Sequence, residues 1–404
     1  MRFSAIFYIL SLFFLVSCDS DLYVWSLSSS SVAKGDVAER TLFVYMMAEN
    51  SLSGYAANDD AEIKKGISGV PDNCRVFAFI DDNRKPRVVQ YLPCESGGES
   101  AVVEEFEVDI CSSDAGRFAK VLEALLLYYP TESLDVVLWS HGDGWLAGGK
   151  KSSSQRSIGI DNGKNSYSDI STKVLEIEEL ASVLEELPLK VDRLLFDACF
   201  MQCAEVAYAL RNSANWIIAS PAEIPANGAP YDKLLPLFFD KEASVGDIVR
   251  AYVDAYEGED CGVVLSAVCT EEMDALAKVT EEYVGKYFSV SENWDYSTIF
   301  SYLPGGKRTF LKIYPCYYDF NAIMQEFLSA EEYGCWSCVF KRTVPFVEFS
   351  GSWYSSIIYK VLQVDPSVCG GMSMYIPQGV NVELNSDFSE TGWYGATGWC
   401  AAGW

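Results

Sequence analysis

Two residue types in this chain can do nucleophilic chemistry together: its only histidine, at position 141, and a cysteine at position 199. An imidazole that takes the proton of a thiol leaves a thiolate, which attacks carbonyl carbon, and the same imidazole can later protonate the leaving group. Both residues directly follow stretches that read as buried strands, LDVVLWS (134–140) before His141 and VDRLLFDA (191–198) before Cys199. Gly142 and Gly144 let the backbone turn sharply after the histidine, so the amides of Gly142 and Cys199 are candidates for an oxyanion hole. A helix predicted over Phe200–Asn212 would set Cys199 at the positive end of a helix dipole, which favours a thiolate. Taken singly, a histidine after a strand is more often structural and a buried cysteine more often inert. It is their conjunction on one topological edge that points to a cysteine hydrolase, and a single histidine excludes multi-histidine metal sites.

The elements that must position this pair follow from periodicity. Strands are expected at Thr41–Ala48, Cys74–Asp81, Leu134–Ser140, Val191–Ala198 and Asn215–Ser220. Helices are expected at Ala56–Ser68, from an Asp114 cap to Tyr129, at Val174–Leu187, Val245–Tyr256 and Glu271–Tyr287, with a further strand at Met372–Ile376. Strands alternating with helices predict a mostly parallel sheet, whose carboxyl edge collects reacting groups. The divisions expected are 1–18 export signal, 19–40 tether, 41–240 catalytic core, and 241–404 a C-terminal part packed on the core or continuing it.

Composition narrows the function. With 30 Lys+Arg against 57 Asp+Glu, a net charge of −27 leaves no basic stripe for phosphates, so nucleic acid is not an expected partner and cationic substrates are. The start, MRFSAIFYILSLFFLVSC, has one positive charge before an apolar run of about 14 residues, shorter than the roughly 20 that span a bilayer, and reads as an export signal. Its end, Leu15-Val16-Ser17-Cys18, resembles a bacterial lipobox with Cys18 as the lipidated residue; the alternative is an ordinary cleaved signal. The expected location is therefore an exported protein, lipid-anchored to a bacterial membrane, at the outer membrane or cell surface. Among thirteen cysteines, Cys335-Trp-Ser-Cys338 has the spacing of a redox or zinc half-site but lacks the surrounding frame, and is expected to be a structural pair or two buried thiols.

The stretches VVLWSHGDGWLAG and VDRLLFDACFMQCAEVAYALRNSANWIIASPAEIPANGAPYDKLL resemble the two signature blocks of the clostripain-like cysteine peptidases, relatives of caspases, gingipains and legumain. The matching positions are His141, Gly142, Gly144 and Trp145, then Asp197, Cys199, Met201, Glu205, Ala207 and Tyr208. A weaker likeness runs from Thr41 to the end, with a departure at Ala48-Glu49-Asn50. The resemblance implies a caspase-like α/β/α sandwich with a mostly parallel central sheet and additional C-terminal elements. It implies an endopeptidase cutting after Arg or Lys through a His141–Cys199 dyad and an acyl-enzyme, on protein or peptide substrates. Asp197 matches the position that faces the basic side chain before the scissile bond; otherwise it caps the next helix or organises its loop. No cofactor is required; calcium is compatible but not inferable. The Gly- and Ser-rich segment 146–165 carries Lys150, Lys151 and Arg156, candidates for self-cleavage, or else is a plain surface loop. A catalytically silent surface lipoprotein and a thiol acyltransferase are the alternatives.

Overall fold

The computed structural model describes residues 36–94, 97–107, 109–146, 158–163, 173–259, 261–290, 296–308 and 311–404. In chain order its first half runs β1 (Arg40–Met47), α1 (Ser53–Gly66), β2 (Cys74–Asp81), β3 (Arg87–Cys94), β4 (Gly97–Glu105), α2 (Ala115–Tyr128) and β5 (Leu134–Trp139). The short strands β6 (Ile158–Asp161) and β7 (Lys173–Leu175) lead to α3 (Ile177–Glu185), β8 (Val191–Asp197), α4 (Ala204–Ala209) and β9 (Ala214–Ala219). Then come α5 (Tyr231–Phe239), α6 (Val245–Asp254), β10 (Val264–Cys269), α7 (Met273–Tyr287), α8 (Phe320–Phe327) and α9 (Ala330–Thr343).

Strands β9, β8, β5, β1 and β2 form a parallel block within a nine-stranded sheet, flanked by antiparallel β10 and Phe346–Phe349 on one side and β3–β4 on the other. Side chains of β1 alternate between two cores, because successive residues of a strand point to opposite faces. Phe43, Tyr45 and Met47 join residues of α2, α3, α4, α7, α8 and α9, while Leu42, Val44 and Met46 join those of α1, α5 and α6. The result is the expected three-layer α/β/α sandwich. The C-terminal part adds β10 and Phe346–Phe349 to the same sheet, and its Trp336, Trp353, Trp393 and Trp399 are buried in the first core.

Several local expectations need correction. The helix after Cys199 starts at Ala204 rather than Phe200: Phe200 has φ 61°, a left-handed conformation, its amide donates to the Ala222 carbonyl, and its ring stacks on Tyr317. A strained bulky residue there costs of order 1 kcal/mol and is held only by such contacts. Cys335 and Cys338 are exposed free thiols on α9, neither paired nor buried. The predicted 19–40 tether ends early, since buried Ala38 bridges to Thr131 and β1 begins at Arg40. Cys18 and the segment with Lys150, Lys151 and Arg156 lie outside the described residues.

Candidate active site

Strand register sets the site. β5 and β8 pair in parallel with Trp139 opposite Asp197, so the residues two further along each strand, His141 and Cys199, stand at the same level on neighbouring strand ends. The loops after the two strands touch. A Cβ on Gly142 would meet the Cys199 carbonyl at 2.9 Å and Met201 Sδ at 2.9 Å, and one on Gly144, whose φ is +63°, would meet the Phe200 carbonyl at 2.6 Å. A His-Gly-x-Gly sequence is therefore the one that lets the histidine loop close on the cysteine turn.

His141 and Cys199 both line a cavity of about 840 Å³ at this edge of the sheet. His141 Nε2 lies 2.9 Å from Ser51 Oγ, on the turn between β1 and α1. Cys199 Sγ faces the loop after β9: the Ile224 amide donates to it at 3.4 Å. Burial pushes the Cys199 thiol up to about 12, and the negative charges of Glu223, Asp143 and Asp197 push the same way. Burial lowers the His141 value. Burial thus disfavours the charged form of each, and the thiolate stabilisation expected from a helix start is missing because α4 begins five residues later.

Asp197 is buried in the floor of the cavity, where it accepts hydrogen bonds from the Ala229 amide at 3.0 Å, Tyr231 Oη at 2.9 Å and Tyr252 Oη at 3.2 Å. It caps no helix. Gly228, with φ +63°, passes so close that a Cβ there would lie 2.7 Å from its carboxylate. Burial raises its proton affinity against the pull of those three donors. Behind Trp139, whose Nε1 donates to it at 2.7 Å, buried Asp59 is raised by its own burial and by the charge of Asp197. The walls add Glu62, Glu223, Glu259 and Asp232, the last ion-paired with Lys65, together with Lys233.

A sequence profile described as the Peptidase C11 clostripain family matches residues 44–401. The chain belongs to the clostripain family. Clostripain of Hathewaya histolytica is 28% identical over 233 residues, an alignment covering 48% of this chain and 41% of that protein, so the chain spans well under half the length of this curated relative. A secreted C11 cysteine protease from Bacteroides thetaiotaomicron, solved with an irreversible peptide inhibitor, superposes with a TM-score of 0.78 at 28% identity, over 90% of this chain and 100% of that one. An inactive zymogen C11 protease from Parabacteroides distasonis gives 0.75 at 28% identity, covering 90% and 99%.

Other family positions now have physical roles. Glu205 is buried and accepts the Tyr375 amide at 2.8 Å, tying α4 to the C-terminal segment, and Trp145 packs on Tyr375 with ring centroids 4.8 Å apart. Sequence reasoning missed Ser51, Glu62, Glu223 and Ile224. Their signal is contact between segments far apart in the chain, which neither spacing nor periodicity carries.

Proposed function

We propose that this protein is an exported cysteine endopeptidase that cuts peptide bonds after Arg or Lys, with Cys199 as nucleophile and His141 as its acid–base partner. The observation that carries the reading is the register-matched pair at the rim of a cavity floored by Asp197 and walled by further carboxylates. A guanidinium or ammonium entering that cavity meets uncompensated negative charge, which binds it. Burial is the main cause of the raised thiol, and a bound cation also offsets the smaller push from Glu223 and Asp197, which eases ionisation of the sulfur that attacks beside it. The Cys199 proton passes to His141 as the C–S bond forms, and the Gly142 and Cys199 amides take the oxyanion. His141 then gives its proton to the leaving amine, and water, deprotonated by His141, hydrolyses the thioester.

On the same reading Cys18 carries lipid, so Cys18→Ala moves the protein from the membrane fraction to the soluble one. Among the described residues no helix is long and apolar enough to cross a membrane. Self-cleavage after Lys150, Lys151 or Arg156 belongs to it as well, with a two-chain wild type and an intact Cys199→Ala protein in mass spectra. The deciding experiment is hydrolysis of Arg and Lys peptides by Cys199→Ala and His141→Ala. Each is expected to lose at least about 10³-fold in turnover, and a fully active Cys199→Ala protein would sink the assignment.

A further inference from the structure

The β5–β8 ladder that aligns His141 and Cys199 stops short of them. Its last pair is Trp139 with Asp197, followed by one bond of 3.4 Å from the Ser140 amide to the Asp197 carbonyl. The two turns beyond it are joined by a side chain from the C-terminal part. Tyr317 is 1% exposed, and its hydroxyl donates at 2.5 Å to the carbonyl of Asp143, in the middle of the turn after His141. Its ring stacks on Phe200, the residue after the nucleophile, with centroids 4.4 Å apart and planes 14° from parallel. The same ring lies against Gly144, where a Cβ would meet Tyr317 Cε1 at 3.2 Å. Tyr317 is itself held from behind: its carbonyl accepts the Tyr302 amide at 2.8 Å and the Ser301 hydroxyl at 3.0 Å. Burial pushes its hydroxyl well above the ordinary tyrosine range, so it stays a donor at any working pH.

We propose that Tyr317 is a positioning residue for the acyl transfer, its hydroxyl and ring together fixing the gap between the Gly142 and Cys199 amides that take the oxyanion. The inference rests on the peptidase reading and deepens it. Phe200 has φ 61°, a conformation that a bulky residue keeps only when packed in place. The peptide units on both sides of Phe200 turn with it, so the ring stack also orients the Cys199 backbone. On the histidine side, a turn with two glycines has many conformations open to it, and the hydroxyl–carbonyl bond selects one. An oxyanion hole works only when its donors are in place before charge develops, and a misplacement of about 1 Å can cost on the order of 10²-fold in rate. Buried as it is, Tyr317 acts through these two turns and not on the substrate.

The test compares Tyr317→Phe with Tyr45→Phe. Tyr45 is 0% exposed and its hydroxyl also donates to a backbone carbonyl, that of Ser112 at 2.9 Å, so its variant loses the same kind of bond elsewhere in the core. Two reactions are followed well below the melting temperatures of both variants. Turnover of an Arg peptide needs the oxyanion hole, whereas alkylation of Cys199 by iodoacetamide, read by mass spectrometry of the peptide that carries it, forms no oxyanion. Tyr317→Phe, which keeps the ring stack, should lose at least about tenfold in kcat, with KM and the alkylation rate within about twofold of wild type. Tyr45→Phe should match wild type in all three. Wild-type kcat in Tyr317→Phe, an equal loss of its alkylation rate, or an equal loss of kcat in Tyr45→Phe would overturn the proposal. Turnover that survives in Cys199→Ala would instead overturn the peptidase reading, and this inference with it.

Discussion

Strands β5 and β8 hold a buried aspartate near each of their ends, and the two are treated differently. Asp135, near the start of β5, is met by Arg193 through two bonds of 2.8 and 2.6 Å and by Arg40 at 2.9 Å. Arg193 spends a further bond on the Phe238 carbonyl and lies over the Phe238 ring at 4.9 Å. Asp197, at the far end of β8, receives only neutral donors, from Ala229, Tyr231 and Tyr252. One end compensates its charge within the protein and so belongs to the fold. The other has no cation of the protein's own, and on the proposed function it meets the basic side chain of the substrate. Both aspartates are buried and hydrogen-bonded, so neither burial nor bonding alone separates a structural acid from a functional one. Asp197 is set apart by lying in the cavity that His141 and Cys199 line.

The difference can be broken from either end. Arg193→Met strips Asp135 of its bidentate partner in the interior, and urea unfolding should show a loss of about 3–5 kcal/mol while turnover per folded molecule stays near wild type. Asp197→Asn should do the reverse. It should cut kcat/KM for Arg peptides by more than about 10²-fold, or about 2.7 kcal/mol, with unfolding midpoints unchanged or higher. An equal loss on peptides with a neutral residue before the scissile bond would move the pocket elsewhere.

Titration sharpens the comparison. Burial raises the proton affinity of Asp197, so this acid loses its charge at a higher pH than an exposed aspartate does. KM for basic peptides should therefore climb, by up to about tenfold per pH unit, as pH falls through the raised Asp197 titration, while KM for neutral peptides stays flat. A flat profile for both would show that Asp197 does not meet the substrate cation. The smallest effect is expected at the histidine: Ser51→Ala removes the bond to Nε2 and should lower kcat only a few-fold, about 1 kcal/mol, with KM unchanged.

Much of this was legible in the sequence, for reasons that also explain what was not. Apolar strands bounded by polar turns, and the Phe118, Val121, Leu122 and Leu125 stripe of α2, are local patterns, and Asp114 does cap that helix through the Arg117 amide. The shared edge of His141 and Cys199 followed from adjacent parallel strands. Antiparallel β3 and β4 escaped because their partly polar alternation resembles loop. The helix start after Cys199 was misplaced because helical spacing continues through Phe200, and only the tertiary contacts with Ala222 and Tyr317 force the left-handed turn. The donors on Asp197 come from residues 229, 231 and 252, and the Ser51 contact from 90 positions before His141; no motif spans such gaps.

Cleavage-site profiling tests the uncompensated end of the sheet most directly. A proteome-derived peptide mixture is digested with wild-type protein, with Cys199→Ala as the blank, and the new carboxyl termini are read by mass spectrometry. Termini ending in Arg or Lys, absent from the blank, are expected. Cuts after neutral or acidic residues, or cuts that persist in Cys199→Ala, would contradict a cavity built around Asp197 to hold a cation beside the nucleophile.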